Sequence, residues 1–252
     1  MRTLLLAAGI CFLAMSGLTG AASAGDIKVF SDGPLRAVLT AIAERFQRET
    51  EHRVQLSFDT APALKARLAS GETGDILIVA AADAEELTKQ GKLSAEGQAV
   101  VAHVSIGLAI REGVPVPDIG TLDALKETLL RAETLVFTNL LSGTQFLKAA
   151  ERLGIAEDVK SKSTQFPSGA EVFGELLKRN GRDIGIGSVM QIVEYGPKGL
   201  RLVGPLPAEI LSPTALIAGV MTGAKSPAVA AEFIHYLRSP ESRASLVTAG
   251  AN

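Results

Sequence analysis

The stretch IKVFSDGPLRAVLTAIAERF, residues 27–46, starts as an apolar strand, passes through Ser31-Asp32-Gly33-Pro34 and continues as an amphipathic helix. Leu35, Val38, Leu39, Ile42 and Phe46 keep the i, i+3, i+4 spacing of one buried helix face. Gly33-Pro34 makes the tight turn, and proline presets the backbone of the first helical residue. Asp32 supplies the oxygen that an N-cap needs. A strand that turns straight into a helix is half of a β-α-β unit, and the pattern recurs along the chain. Apolar strand runs fall near residues 53–58, 75–79, 101–110, 134–138, 183–186, 200–203 and 216–220, with helical periodicity between most of them. The expected class is α/β, with strands joined by helical crossovers.

Two Pro/Gly-rich breaks divide this pattern. REGVPVPDIG, residues 111–120, follows a long apolar strand, and GPLPAEILSP, residues 204–213, precedes another. A chain that leaves one lobe at the first break and returns at the second builds one lobe from residues 25–110 and 214–252. The other lobe then comprises residues 111–213. Residues 1–24, MRTLLLAAGICFLAMSGLTGAASA, carry an early Arg2, an apolar run and an A-x-A ending, the signature of a cleaved secretory signal. That apolar run is too short for a permanent anchor.

Ligands of open α/β sheets sit beyond the carboxyl ends of the strands. Here those ends carry Ser31-Asp32-Gly33, Asp59-Thr60, Ser142-Gly143-Thr144, Ser168-Gly169 and Gly187-Ser188, each opening a helix. A helix start presents unpaired N–H groups and a partial positive charge, hydroxyls add donors, and glycine admits a ligand close to the backbone. Several such starts facing one cleft make a site for a small anion.

The block IKVFSDGPLRAVLTAIAERFQRETEHRVQLSFDTAPALKARLASGETGDILIVAAADAEELTKQGKL resembles the opening of periplasmic molybdate-binding proteins, the receptors of ABC importers. The similarity continues through LVFTNLLSGTQFLKAAERLGI and LLKRNGRDIGIGS, and GDILIVAAADAEEL is its most specific part. It implies a two-lobed type II periplasmic-binding-protein fold with the ligand between the lobes and an ABC permease as partner. Carried over residue by residue, the oxyanion contacts of that family fall on Pro34, Ala61, Ser142, Ala170 and Ser188, so only part of the usual hydroxyl set is present. The chain therefore resembles a divergent branch, and the resemblance extends to a periplasmic isomerase of aconitate.

Composition narrows the alternatives. There are 25 basic and 27 acidic residues, a net charge of −2, and no basic tail, which argues against nucleic acid. The single cysteine, Cys11, lies in the signal segment, so a mature chain would have no disulfide or thiol nucleophile. Tryptophan is absent and only Tyr195 and Tyr236 represent tyrosine, which argues against aromatic stacking of sugars or bases. His52, His103 and His235 lack metal-ligand spacing, and no nucleotide motif is present, so neither metal nor cofactor is expected. The basic residues nearest the expected cleft are Arg36, Lys65 and Arg111.

The expected protein is a periplasmic monomer without stable membrane insertion that binds a small anion. Its ligand set would be Ser31, Gly33, Asp59, Thr60, Ser142, Gly143, Ser168, Ala170 and Ser188. The rival expectation is an isomerase of an unsaturated tricarboxylate, with Asp32 as the catalytic base. A third is a sensor that hands its ligand to a membrane receptor.

Overall fold

The computed structural model describes residues 25–251. Residues 1–24, read above as a secretory signal, lie outside the described residues. In chain order the elements are β1 (Asp26–Asp32), α1 (Arg36–Thr50), β2 (Arg53–Asp59), α2 (Ala61–Ala69), β3 (Ile76–Ala80), α3 (Ala81–Lys89), β4 (Ala99–Val104) and β5 (Ile106–Arg111). There follow α4 (Leu122–Arg131), β6 (Leu135–Thr138), α5 (Leu141–Arg152), α6 (Ala156–Ser161), β7 (Ser163–Phe166) and α7 (Gly169–Leu176). The chain closes with β8 (Ile184–Ser188), α8 (Val189–Glu194), β9 (Leu200–Pro205), β10 (Thr214–Val220), α9 (Pro227–Leu237) and α10 (Pro240–Thr248).

The strands form two five-stranded sheets, ordered β2-β1-β3-β10-β4 and β7-β6-β8-β5-β9. Each sheet carries helices on both faces. In the first lobe Ile27, Val29, Ile76 and Ile78 meet Val38, Ile42 and Phe46 of α1 and Phe233 of α9. The alternate residues Phe30, Leu77 and Val79 meet Leu64 and Leu68 of α2 and Leu87 of α3. In the second lobe Phe137 and Ile186 pack with Leu125, Leu129 and Phe146. Val136 and Ala109 pack with Val172, Phe173 and Ile192 on the opposite face. Strand alternation and helix periodicity thus meet across every layer.

Both sheets are mixed, whereas the helical crossovers alone suggested parallel strands. β1 pairs in parallel with β2 and β3, but β10 enters antiparallel between β3 and β4. In the second sheet β5 runs antiparallel to both β8 and β9. These reversals come from the strands on either side of the crossings.

The strand expected over residues 101–110 is divided in two. β4 ends at Val104 in the first sheet and β5 begins at Ile106 in the second, so the chain changes lobes at Ser105. The segment 111–120 is then a loop within the second lobe, with Gly113 at φ +85°. An apolar run with one serine in it shows no turn chemistry, so a sheet change inside it left no mark in the sequence. The return runs from the end of β9 at Pro205 to the start of β10 at Thr214. Edge strand β7, read STQF, and helices α6 and α10 also lacked a clear pattern.

Candidate anion cleft

The cleft is built from strand ends. β1 and β2 pair in register from Asp26 opposite Arg53 to Asp32 opposite Asp59, which sets the two aspartates side by side where both strands stop. Each carboxylate caps the turn that follows it: Asp32 Oδ1 accepts from Gly33 N at 2.8 Å, and Asp59 Oδ1 from Thr60 N at 2.9 Å. Strand alternation separates Ser31 from Asp32. Ser31 faces the sheet interior, is fully buried, donates to the Asp32 carbonyl at 3.1 Å and does not line the cleft.

A cavity of about 770 Å³ opens between the lobes, within the size range of small-molecule sites. The first lobe lines it with Asp32, Gly33, Arg36, Asp59, Thr60, Lys65 and Asp83 among others. Thr138, Ser142, Gln145, Ser168, Ala170, Ser188, Gln191, Glu194 and Tyr195 come from the second lobe. Asp32, Gly33, Asp59, Thr60, Ser142, Ser168, Ala170 and Ser188 therefore share one wall-to-wall space.

Gly143 sits in the first turn of α5 but faces away from the cavity. A Cβ there would run into the Thr138 carbonyl, so glycine lets α5 start tight against β6. It shapes the site through the backbone. His103 is exposed on β4, and His52 is buried elsewhere, its Nδ1 accepting from Gly25 N at 2.9 Å. Neither histidine, nor Arg111, lines the cleft.

The second-lobe wall is rich in hydroxyls. Thr138 and Ser142 share a hydrogen bond of 2.8 Å at the start of α5. Ser168 is the N-cap of α7, accepting from Glu171 N at 3.2 Å and donating to Glu171 Oε1 at 2.9 Å. Ser188 differs from both. It is 5 % exposed, lines the cleft, and its Oγ has no hydrogen-bond partner among the described residues. A buried hydroxyl left unpaired is costly, so a group entering the cleft, a ligand atom or a bound water, would complete its bond.

Charge is distributed unevenly. Lys65 holds Asp83 at 2.8 Å and Glu86 at 2.9 Å, and these bonds keep its ammonium charged. Arg67 reaches Asp59 at 3.5 Å. Arg36 lies over the Phe58 ring, 4.6 Å from its centre. Asp32 has no cation beside it among the described residues. It keeps part of its surface open to the cleft, yet protein surrounds most of it. Burial pushes its carboxyl up to about 6, against the lowering effect of the Gly33 N–H, and the nearby Asp83 charge adds to the rise.

Several lining residues escaped sequence reasoning. Gln145 donates to Thr214 Oγ1 at 3.3 Å and so joins α5 to the first-lobe strand β10. The Gln191 amide stands 3.7 Å from where a Gly33 Cβ would be and would overlap a Cβ on Gly169, so it lies between helix starts of opposite lobes. Tyr195 donates to the Ala170 carbonyl at 3.4 Å. Gln145, Gln191 and Tyr195 lie inside or just past helices, where no local motif marks them.

No helix among the described residues is long and apolar enough to cross a membrane. The solved structures most useful for comparison share this fold. The periplasmic molybdate-binding protein of Azotobacter vinelandii superposes with a TM-score of 0.76 at 18% identity, covering 90% of this chain and 98% of that one. The substrate-binding domain of a molybdenum ABC transporter from Clostridium difficile gives 0.73 at 14% identity, covering 91% and 99%. The sulfate-binding protein SubI of Mycobacterium tuberculosis gives 0.72 at 16% identity, covering 90% and 86%. In sequence, the chain is 23% identical to an aconitate isomerase of a Pseudomonas species over 251 residues, 97% of this chain and 94% of the relative. The sequence profile of bacterial extracellular solute-binding proteins matches residues 27–252, nearly the whole of a two-lobed chain with its cleft between the sheets, and the chain belongs to that family.

Proposed function

We propose that this protein is a monomeric periplasmic receptor that holds a small anion between its lobes and presents it to an ABC permease. The observation that carries the reading is the unpartnered Ser188 hydroxyl, buried in a cleft that also receives the starts of α2, α5 and α7. The backbone N–H groups of these starts and the hydroxyls of Thr60, Ser142 and Ser188 would bind negative charge without an arginine clamp. Ser168 would contribute through the start of α7, its own hydroxyl being engaged. Closure of the lobes about the two crossings would bring the walls together and signal occupancy. A thermal-shift screen of anions tests the reading: a ligand at a hundred times its Kd stabilises by about 2.7 kcal/mol. For a chain of this length that raises Tm by roughly 5–10 °C. No shift with any inorganic or organic anion would refute it.

Asp32 favours a second reading. A partly buried carboxyl, lifted to about 6 and facing a ligand cleft, has the properties of a general base. The relative named an aconitate isomerase supports the same idea. In that case Asp32 would take an allylic proton from one carbon of an unsaturated tricarboxylate and return it to another as the double bond moves. Incubation with cis- or trans-aconitate separates the readings. An isomerase interconverts them, and Asp32→Asn lowers the rate by roughly 10²–10⁴-fold.

A further inference from the structure

The lining carboxylates are not equivalent. Asp83 is neutralised by Lys65 at 2.8 Å and Asp59 faces Arg67 at 3.5 Å. Asp32 accepts one backbone N–H and meets no cation among the described residues. The other charged groups lining the cleft are Arg36 on α1 and Glu194 on α8, and Glu194 likewise forms no ion pair among the described residues. Arg36 stacks over the Phe58 ring, 4.6 Å from its centre, and forms no ion pair among the described residues. An ionised carboxylate has acceptor sites only. A ligand oxygen that carries no hydrogen therefore meets repulsion at Asp32, which has no cation paired with it among the described residues. A ligand group that carries a hydrogen meets an acceptor instead.

Resting on the anion-cleft reading, we propose that Asp32 is a specificity filter: the cleft selects organic acids that bring a hydrogen of their own, as a hydroxyl or a retained carboxyl proton. Fully deprotonated inorganic oxyanions such as sulfate and molybdate are rejected. The helix starts and hydroxyls bind the carboxylate groups, and Asp32 reads the donor. The filter works by penalising the wrong ligand as well as rewarding the right one. It also accounts for a cleft that has the architecture of an oxyanion receptor while placing an unpaired acid on its wall. The raised ionisation of Asp32 adds a corollary: the penalty on sulfate relaxes in acid, where Asp32 takes up a proton and becomes a donor itself.

The test is calorimetric titration of the parent, D32N and E44Q with citrate, which carries a hydroxyl, and with sulfate, at about pH 8 and about pH 5. The parent is expected to prefer citrate at the higher pH by about 10- to 100-fold, the range for a charged group left wrongly paired. D32N should gain sulfate affinity by a similar factor and lose the pH dependence of sulfate binding. E44Q, at an exposed acid of α1 that does not line the cleft, makes the same change in net charge and should not admit sulfate. Equal binding of sulfate and citrate by the parent at about pH 8 would overturn the filter and leave the anion cleft standing. Equal gain of sulfate binding in E44Q would show a net-charge effect and overturn the assignment to Asp32. Failure of parent and D32N to bind either anion at either pH would bring down the anion-cleft reading and the filter together. Should D32N not fold, the pH dependence of sulfate binding by the parent decides: tighter binding in acid supports the filter and a flat profile overturns it.

Discussion

Asp32→Asn should stabilise the ligand-free protein, and the gain should depend on pH. Burial lifts the Asp32 carboxyl from 3.8 to about 6, so the native chain disfavours its ionised form. Each tenfold change in an ionisation constant corresponds to about 1.4 kcal/mol. The ionised carboxylate therefore costs the fold up to about 3 kcal/mol at neutral pH. Water on the cleft side brings the expected figure to about 1–2 kcal/mol. A native pKa above the unfolded one means that the folded chain binds the extra proton between about pH 4 and 6. The parent is thus most stable below that window, loses stability as pH rises through it, and stays at the lower level above. Asparagine keeps an acceptor for the Gly33 N–H, so the cap survives. The variant lacks the acid-linked decline. Melting curves should coincide near pH 4 and differ by roughly 2–8 °C near pH 8, with the variant higher. A difference of the same size at both pH values, or a variant less stable at pH 8, would show that Asp32 is not a strained acid.

Gly143→Ala should destabilise the fold by about 3 kcal/mol or more, measured by denaturant unfolding, because its Cβ has only the Thr138 backbone to push against. Ser188→Ala should leave stability unchanged or slightly raised, since its hydroxyl has no partner to lose, yet weaken anion binding by about 1–3 kcal/mol in calorimetry. Thr60→Ala and Ser142→Ala should each weaken binding by a similar amount, and unchanged affinity in both would place the anion elsewhere. Phe46→Ala should cost about 3–5 kcal/mol of stability, because the ring is fully buried among Phe233, Tyr236 and His52.

Much of the scaffold was legible because local signals agreed with tertiary ones. The turn at Gly33-Pro34, the face formed by Leu35 to Phe46, and the polar ends of β1, β2 and β6 all point to a strand-then-helix unit with its site at the strand end. The change of sheets at Ser105 was not legible, since Val104 and Ile106 give one continuous apolar run and the bend is imposed by the partner strands. The site was half legible for a related reason. Residues next to helix starts advertise themselves by type and position, whereas Gln145, Gln191 and Tyr195 reach the cleft through helix orientation. Ser31 shows the converse error: residue type suggested a ligand, but a period of two along β1 puts it on the α1 face with Val29, and Asp32, at the strand end on the face of Phe30, meets the cleft.

Helix α8 bears on how the lobes move. It follows β8 of the second sheet, and its Ile192 packs with Phe173 and Val172 there. Its neighbour Met190 packs instead in the first-lobe core with Leu35, Ala249 and Ala251. A Cβ on Gly250, just past α10, would lie 2.9 Å from Val189 of the same helix. Ala251 in turn bridges to Val104, the last residue before the crossing. The covalent crossings at Ser105 and residues 206–213 are therefore joined by a non-covalent contact in which one short helix belongs to both cores. Relative motion that tore Met190 from the first lobe would expose apolar surface and be resisted, while rotation about that contact would leave it intact. Closure by rotation about the side of the molecule holding α8, β4 and β5 is the motion this packing permits. It carries Ser142 and Ser168 of the second lobe toward Asp32 and Thr60 of the first, where the anion's groups would be shared between them.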